Sequence, residues 1–314
     1  MRLGGLQEKW QVDFESGIPW FPGDFPGTEA GRSWEAFETS RRTKEWDRRP
    51  KGKRIEWSSV PLGKGRKGEV GDGCACDWAT LASGAALATK APAPEGQQHK
   101  EKTLYQLPSA IAAQSLSMGP AAAILPPLDA NSALATVRIT LLSRGVPSPC
   151  ARIYRLPNDE DEDAPETPHK QSLRAQWLAL DPYLPRSQSK TKQDKRIHDP
   201  RKGKANPTAT TSLEQRLAAD LVKVPGSEAP TNDGATHPEV PTERHLVGFV
   251  TTGEFCLAEG KGVAIGSVLV GRMMDSGRWQ KEGRGRAGSD GERRLCIVRN
   301  AGETIGRLAE WVVV

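Results

Sequence analysis

No part of this sequence is apolar for long. The longest apolar runs are Ala121–Leu125 and Trp311–Val314, far short of the roughly 18 residues that a membrane-crossing helix needs. Met1–Trp10 has no apolar core of the kind a secretory leader carries, so neither a membrane nor a secreted protein is expected. Cysteine is scarce too. Five thiols, at positions 74, 76, 150, 256 and 296, are odd in number and too scattered for a disulfide framework, and reduced thiols are the expectation. The five histidines, at 99, 169, 198, 237 and 245, include none placed with a Ser or Cys in a nucleophile motif. Hydrophobic residues make up only 36% of the chain, against 32 Gly and 24 Pro, so much of it must be turn or loop.

The short motifs that are present lack the context their chemistry needs. Gly63-Lys64-Gly65-Arg66-Lys67-Gly68 has the GxGxxG spacing, but Glu69-Val70-Gly71-Asp72-Gly73 follows it. That sequence does not open the helix a dinucleotide needs, so the segment reads as a flexible basic loop. Gly260-Lys261 is followed by Gly262 instead of the Ser or Thr of a P-loop. Cys74-Ala75-Cys76 is CxC with no second pair or neighbouring His, so no metal site is expected there. Acid pairs such as Asp159 and Asp161 fall in a polar run with no pocket to shift their ionisation. A non-enzyme without a catalytic residue, metal or cofactor is the reading these features support.

What the chain does have is charge in blocks. Eleven Lys and Arg stand against three acids between Arg41 and Lys67, and eight against two between Arg186 and Lys204. Asp159–Glu166 carries six acids and no base. Each block outweighs the net charge of +5 and suggests a polyanionic partner or a solvated surface.

Four regions follow from composition. Residues 1–80 hold clustered aromatics and the first basic block, with one helix expected over Arg32–Arg49, stopped by Pro50. Residues 81–157 begin Ala-rich and weakly patterned. They end in a strand, a Pro-rich turn and a strand, because Val137, Ile139 and Leu141 alternate with polar residues before Gly145–Pro149. Residues 158–242 read as a largely disordered charged insertion, with a short helix at Ser212–Val222 capped by Ser212 and Gln215. Residues 243–314 return to short β runs separated by glycines. The expected class is α+β, mainly antiparallel β, with a sheet or barrel split by the insertion.

Several stretches carry a resemblance. Gly17-Ile18-Pro19-Trp20-Phe21-Pro22 with Asp24-Phe25-Pro26, Arg48-Arg49-Pro50-Lys51-Gly52-Lys53-Arg54, and the run Leu62 to Asp72 with Cys76-Asp77-Trp78 form one group. Arg138 to Tyr154, Val247 to Phe255 with Gly260 to Gly266, and Val298-Arg299-Asn300-Ala301-Gly302 form a second. Together and in this order they resemble the largest protein subunit of eukaryotic ribonuclease P and ribonuclease MRP, over roughly residues 1–80, 130–157 and 244–314. The family's basic N-terminal half has no counterpart here, so a fragment or truncated product is expected.

The resemblance implies an accessory scaffold of a ribonucleoprotein in which RNA performs the cleavage. It also implies the nucleus and nucleolus, ribonuclease P or MRP RNA and the other protein subunits as partners, and precursor tRNA as an indirect one. It further implies a barrel-like C-terminal domain similar to the β-rich domains of aminomethyltransferases (glycine-cleavage T-protein). A folate-dependent aminomethyltransferase-like protein is therefore one alternative, although a fold does not carry a function with it, and a non-functional truncated product is the other. In this frame the RNA-contact candidates are Arg41, Arg42, Arg48, Arg49, Lys51, Lys53, Arg54, Lys64, Arg66 and Lys67, with Arg144 and Arg152 flanking the Pro-rich turn. Trp20, Phe21 and Phe25 are candidates for protein docking. Trp34, Trp46 and Trp78 are expected as core anchors, and Arg186–Lys204 as a nuclear localisation signal or RNA contact.

Overall fold

The computed structural model describes residue 19 and residues 21–63, 65–69, 71–83, 103–118, 130–157, 172–183, 237–274 and 294–314. The chain divides into two compact units, Met1–Pro185 with Pro238–Val314, and Arg186–His237. All described residues except His237 belong to the first.

Six strands close on themselves. They are β4 (Ala133–Leu141), β5 (Arg152–Arg155), β6 (Leu246–Cys256), β7 (Lys261–Leu269), β8 (Arg294–Arg299) and β9 (Arg307–Val313). Their order is β4-β7-β6-β5-β8-β9, and β9 pairs back onto β4. Every pairing around this ring is antiparallel. Closure removes the exposed edges that would otherwise template association. Three shorter strands precede the ring. β1 (Pro61–Gly63) and β2 (Arg66–Lys67) form a small hairpin, and β3 (Tyr105–Gln106) runs parallel to the start of β4.

Alternation along the strands builds the interior. Ala135, Val137, Ile139 and Leu141 of β4 share one buried cluster with Ile153, Val247, Ala264, Val268, Cys296, Val298, Ala309 and Trp311. One cavity here, lined by Val137, Ile153, Arg155, Val247, Met273 and Trp311 among others, has about 10 Å³, roughly the space of one water. The outward positions are covered as well. Leu134, Tyr154, Leu246, Leu269, Leu295, Ile297 and Leu308 form a second cluster with Trp78, Leu81, Trp177 and Val240. Most of the barrel strands are therefore buried on both faces, and they read as nearly continuous apolar runs.

Among the described residues there are five α-helices: α1 (Glu29–Arg48), α2 (Trp78–Ser83), α3 (Ser109–Met118), α4 (Leu173–Leu178) and α5 (Val270–Met274). α1 starts three residues before the expected helix, because the Thr28 side chain accepts the Gly31 N–H and caps it there. α3 was not expected from its Ala-rich sequence. Ala112 and Leu116, four residues apart, join the barrel's inner cluster with Met273 of α5, and this burial outweighs the weak local pattern. Part of the expected insertion is also ordered. α4 buries Trp177 completely, and its indole donates to the Glu239 carbonyl at 3.1 Å. The helix expected at 212–222 lies outside the described residues.

The expected strand–turn–strand is present as strands but not as a hairpin. β4 and β5 do not pair with each other; β7 and β6 stand between them. The Pro-rich segment crosses the ends of those two strands, and two glycines make room for it. A Cβ on Gly253 would sit 2.2 Å from the Pro147 carbonyl oxygen, and one on Gly262 would sit 2.3 Å from that of Gly145.

Candidate nucleic-acid interface and its supports

The end of α1 is shaped into a rigid basic turn. Trp46 donates from its indole to the Ile55 carbonyl at 3.1 Å. Arg54 donates to the Arg49 carbonyl at 2.8 Å and to that of Asp47, and its guanidinium lies 5.4 Å from the Trp46 ring. Arg54 thus closes the turn instead of facing a partner. On the turn it closes, Arg48, Arg49, Lys51 and Lys53 are all exposed. Among the described residues none of the four has a carboxylate partner. The last turn of a helix favours such cations through its dipole.

The other basic candidates differ. Arg41 is exposed and ion-paired with Glu38 and Glu45 on its own helix; its hydrogen bond holds the Glu38 carboxyl below its ordinary range. Arg42 turns inward, donating to the Cys74 carbonyl at 2.7 Å and to Glu35 at 2.8 Å. Arg66 donates to the carbonyls of Leu62, Val240 and Pro241, tying the hairpin to the strand-entry segment. Lys67 and Arg144 are exposed. Lys64 lies outside the described residues.

Arg152 corrects the expectation of an exposed contact. Its side chain is fully buried, with Nε 3.0 Å from Glu69 Oε1 and Nη1 donating to the Cys150 carbonyl at 2.8 Å. The same carboxylate receives Arg299, whose Nη1 donates to Oε2 at 2.8 Å, and the Gly302 N–H at 2.9 Å. Arg299 also donates to the Tyr154 hydroxyl at 3.1 Å. Burial alone would raise the Glu69 carboxyl, but hydrogen bonding to Arg299 and the charges of both arginines hold it below its ordinary value. Burial pushes the Tyr154 hydroxyl up.

This cluster fastens the segment after β2 to strands β5 and β8. Sequence reading missed Glu69 by treating its loop as flexible and basic. The one signal was a single acid between Gly68 and Gly71 in an otherwise basic run.

The aromatic candidates are partly used within the chain. Phe21 meets the Trp34 ring edge-to-face at 4.6 Å. Phe25 is half-buried, and its carbonyl accepts from the Thr28 hydroxyl at 2.8 Å. Between them Asp24 is buried and accepts from the hydroxyls of Thr251 and Thr252 at 3.0 and 2.9 Å, pinning this segment to β6. Trp20 lies outside the described residues. Trp78 is buried as expected, whereas Trp34 and Trp46 are half-buried.

Comparison with known proteins adds a lineage to this geometry. A family model described as the POP1 C-terminal domain matches residues 133–314, and one described as the POPLD (NUC188) domain matches residues 1–78. The chain is similar to the ribonucleases P/MRP protein subunit pop1 of Schizosaccharomyces pombe, at 25% identity over 311 residues. That alignment covers 99% of this chain and 28% of the yeast protein. It is also similar to the ribonucleases P/MRP protein subunit POP1 of Saccharomyces cerevisiae, at 34% identity over 83 residues, covering 24% of this chain and 10% of that protein. The aligned parts therefore cover less than a third of the length of either relative.

Proposed function

Because the chain belongs to the POP1 family, whose C-terminal domain model matches residues 133–314, we propose that it is a non-catalytic RNA- and protein-binding scaffold of the ribonuclease P and MRP ribonucleoprotein. It acts in removal of tRNA 5′ leaders and in processing of ribosomal RNA precursors, within the nucleus and nucleolus. Its partners are the particle's RNA and neighbouring protein subunits, and precursor tRNA indirectly.

One observation carries the RNA-binding part of this reading. Four exposed cations, Arg48, Arg49, Lys51 and Lys53, sit on a turn whose shape Arg54 and Trp46 fix from behind. A preformed turn loses little conformational entropy on binding, and its Arg side chains can fork onto phosphates while Lys adds point charge. The filled barrel supports a scaffold over a folate-dependent transferase. A small-molecule site needs several hundred Å³, whereas the cavity lined by Val137, Ile153, Val247, Met273 and Trp311 among others has about 10 Å³.

The test is to tag the chain in its own cells, purify it at moderate salt and sequence the RNA that accompanies it. Enrichment of one or two structured RNAs with tRNA precursors is expected. Recovery of no particular RNA would overturn the scaffold reading for this chain.

A further inference from the structure

The fold brings together three residues that lie far apart in sequence. Cys76 Sγ and Cys150 Sγ are 3.5 Å apart, both buried, one in the N-terminal segment and the other at the entry to β5. Glu35 of α1 completes the group: one carboxylate oxygen and the two sulfurs all lie within 4.8 Å of one another. Cys74-Ala75-Cys76 lacks a second cysteine pair in sequence, but the fold brings Cys150 to Cys76 from 74 residues away.

We propose that Glu35, Cys76 and Cys150 form a binding site for a thiophilic divalent cation of the zinc type, joining α1, the segment after β2 and the barrel. Two thiolates on a tetrahedral zinc at about 2.3 Å each stand roughly 3.8 Å apart, a few tenths of an ångström from the separation present here. The carboxylate is already oriented. Oε1 of Glu35 accepts from Arg42, Thr39 and the Cys76 N–H, which holds the carboxylate in place.

Charge closes as well. Two thiolates and a carboxylate carry −3, and the cation with the Arg42 guanidinium returns +3. Binding releases the two thiol protons to solvent, and no electrons move. Cys150 is the single non-glycine residue with positive φ among the described residues, at 63°. An open groove of about 520 Å³, lined by Glu35, Thr39, Ser40 and Trp78 among others, gives a path from solvent to the carboxylate.

The probe is cobalt(II) added to the reduced, chelator-treated full chain. One tightly bound equivalent should appear, with thiolate-to-cobalt charge-transfer absorption and tetrahedral ligand-field bands that zinc(II) displaces. Cys150→Ser should abolish the charge-transfer signal, while Cys296→Ser, at a buried thiol outside the cluster, should retain it. Should Cys150→Ser fail to fold, Glu35→Gln keeps both thiols, and at least a tenfold loss of cobalt affinity is expected. Absence of the charge-transfer band in wild type would overturn the proposal, as would an undiminished band in Cys150→Ser. A mass two hydrogens lower under mild oxidation, with no cobalt uptake after re-reduction, would overturn it too and assign the pair to a disulfide.

Discussion

Arginines meet opposite fates in two regions of this molecule. In the barrel wall, Arg152 and Arg299 are fully buried around one carboxylate, Glu69. At the end of α1, Arg48 and Arg49 stand exposed beside Lys51 and Lys53. Arg48 and Arg49 lie in a dense basic block, whereas Arg152 and Arg299 lie in apolar strands, and the carboxylate that matches Arg299 lies 230 residues away in sequence. The difference teaches where cationic side chains serve the fold and where they remain for a partner. A buried guanidinium must be matched within a few ångströms, because an unpaired one costs several kcal/mol. An exposed one can keep its charge for binding.

The sharpest way to break the contrast is at its buried side. Glu69→Gln leaves two buried guanidinium groups with a neutral partner, and a loss of about 3–5 kcal/mol in unfolding free energy is expected from urea titration. A loss below about 1 kcal/mol would mean that water relaxes the cluster.

A smaller effect should follow from pH. The native Glu69 carboxyl is held low, so the unfolded state takes up its proton first as pH falls. The stability it contributes is complete above the ordinary carboxylate value of about 4.3 and is lost as pH falls through the depressed native value. Comparing wild type with Glu69→Gln from neutral pH down into the acid range isolates this dependence, and only the wild type should show it.

On the exposed side, Arg41→Ala removes surface pairs with Glu38 and Glu45 and should cost no more than about 0.5 kcal/mol per pair. Least of all on stability should be the combined change of Arg48, Arg49, Lys51 and Lys53 to Gln, within about 0.5 kcal/mol. Yet RNA affinity should fall, with the logarithmic salt slope reduced by about 0.7 for each phosphate that is no longer neutralised.

Strand β4 was legible because Val137, Ile139 and Leu141 are buried while Arg138 and Thr140 between them are half-buried. The helix that ends at Arg48, just before Pro50, was legible from its stop signal. The pairing of strands was not, because β4 and β5 are neighbours in sequence but are separated by β7 and β6 in the ring. α3 was hidden because its packing, and not its local pattern, makes it a helix. At the site, Arg48, Arg49, Lys51 and Lys53, which the sequence offered as RNA-contact candidates, are exposed. Arg152 was misread because proximity to a Pro-rich turn says nothing about which side of the strand its side chain leaves.

Ultraviolet cross-linking of the purified chain to structured RNA, with cross-linked peptides mapped by mass spectrometry, tests the division directly. The account predicts cross-links within Arg48–Lys53 that disappear in the four-residue Gln variant, while the variant's unfolding free energy stays unchanged. Cross-links confined to the barrel surface around Arg144, undiminished in that variant, would contradict it.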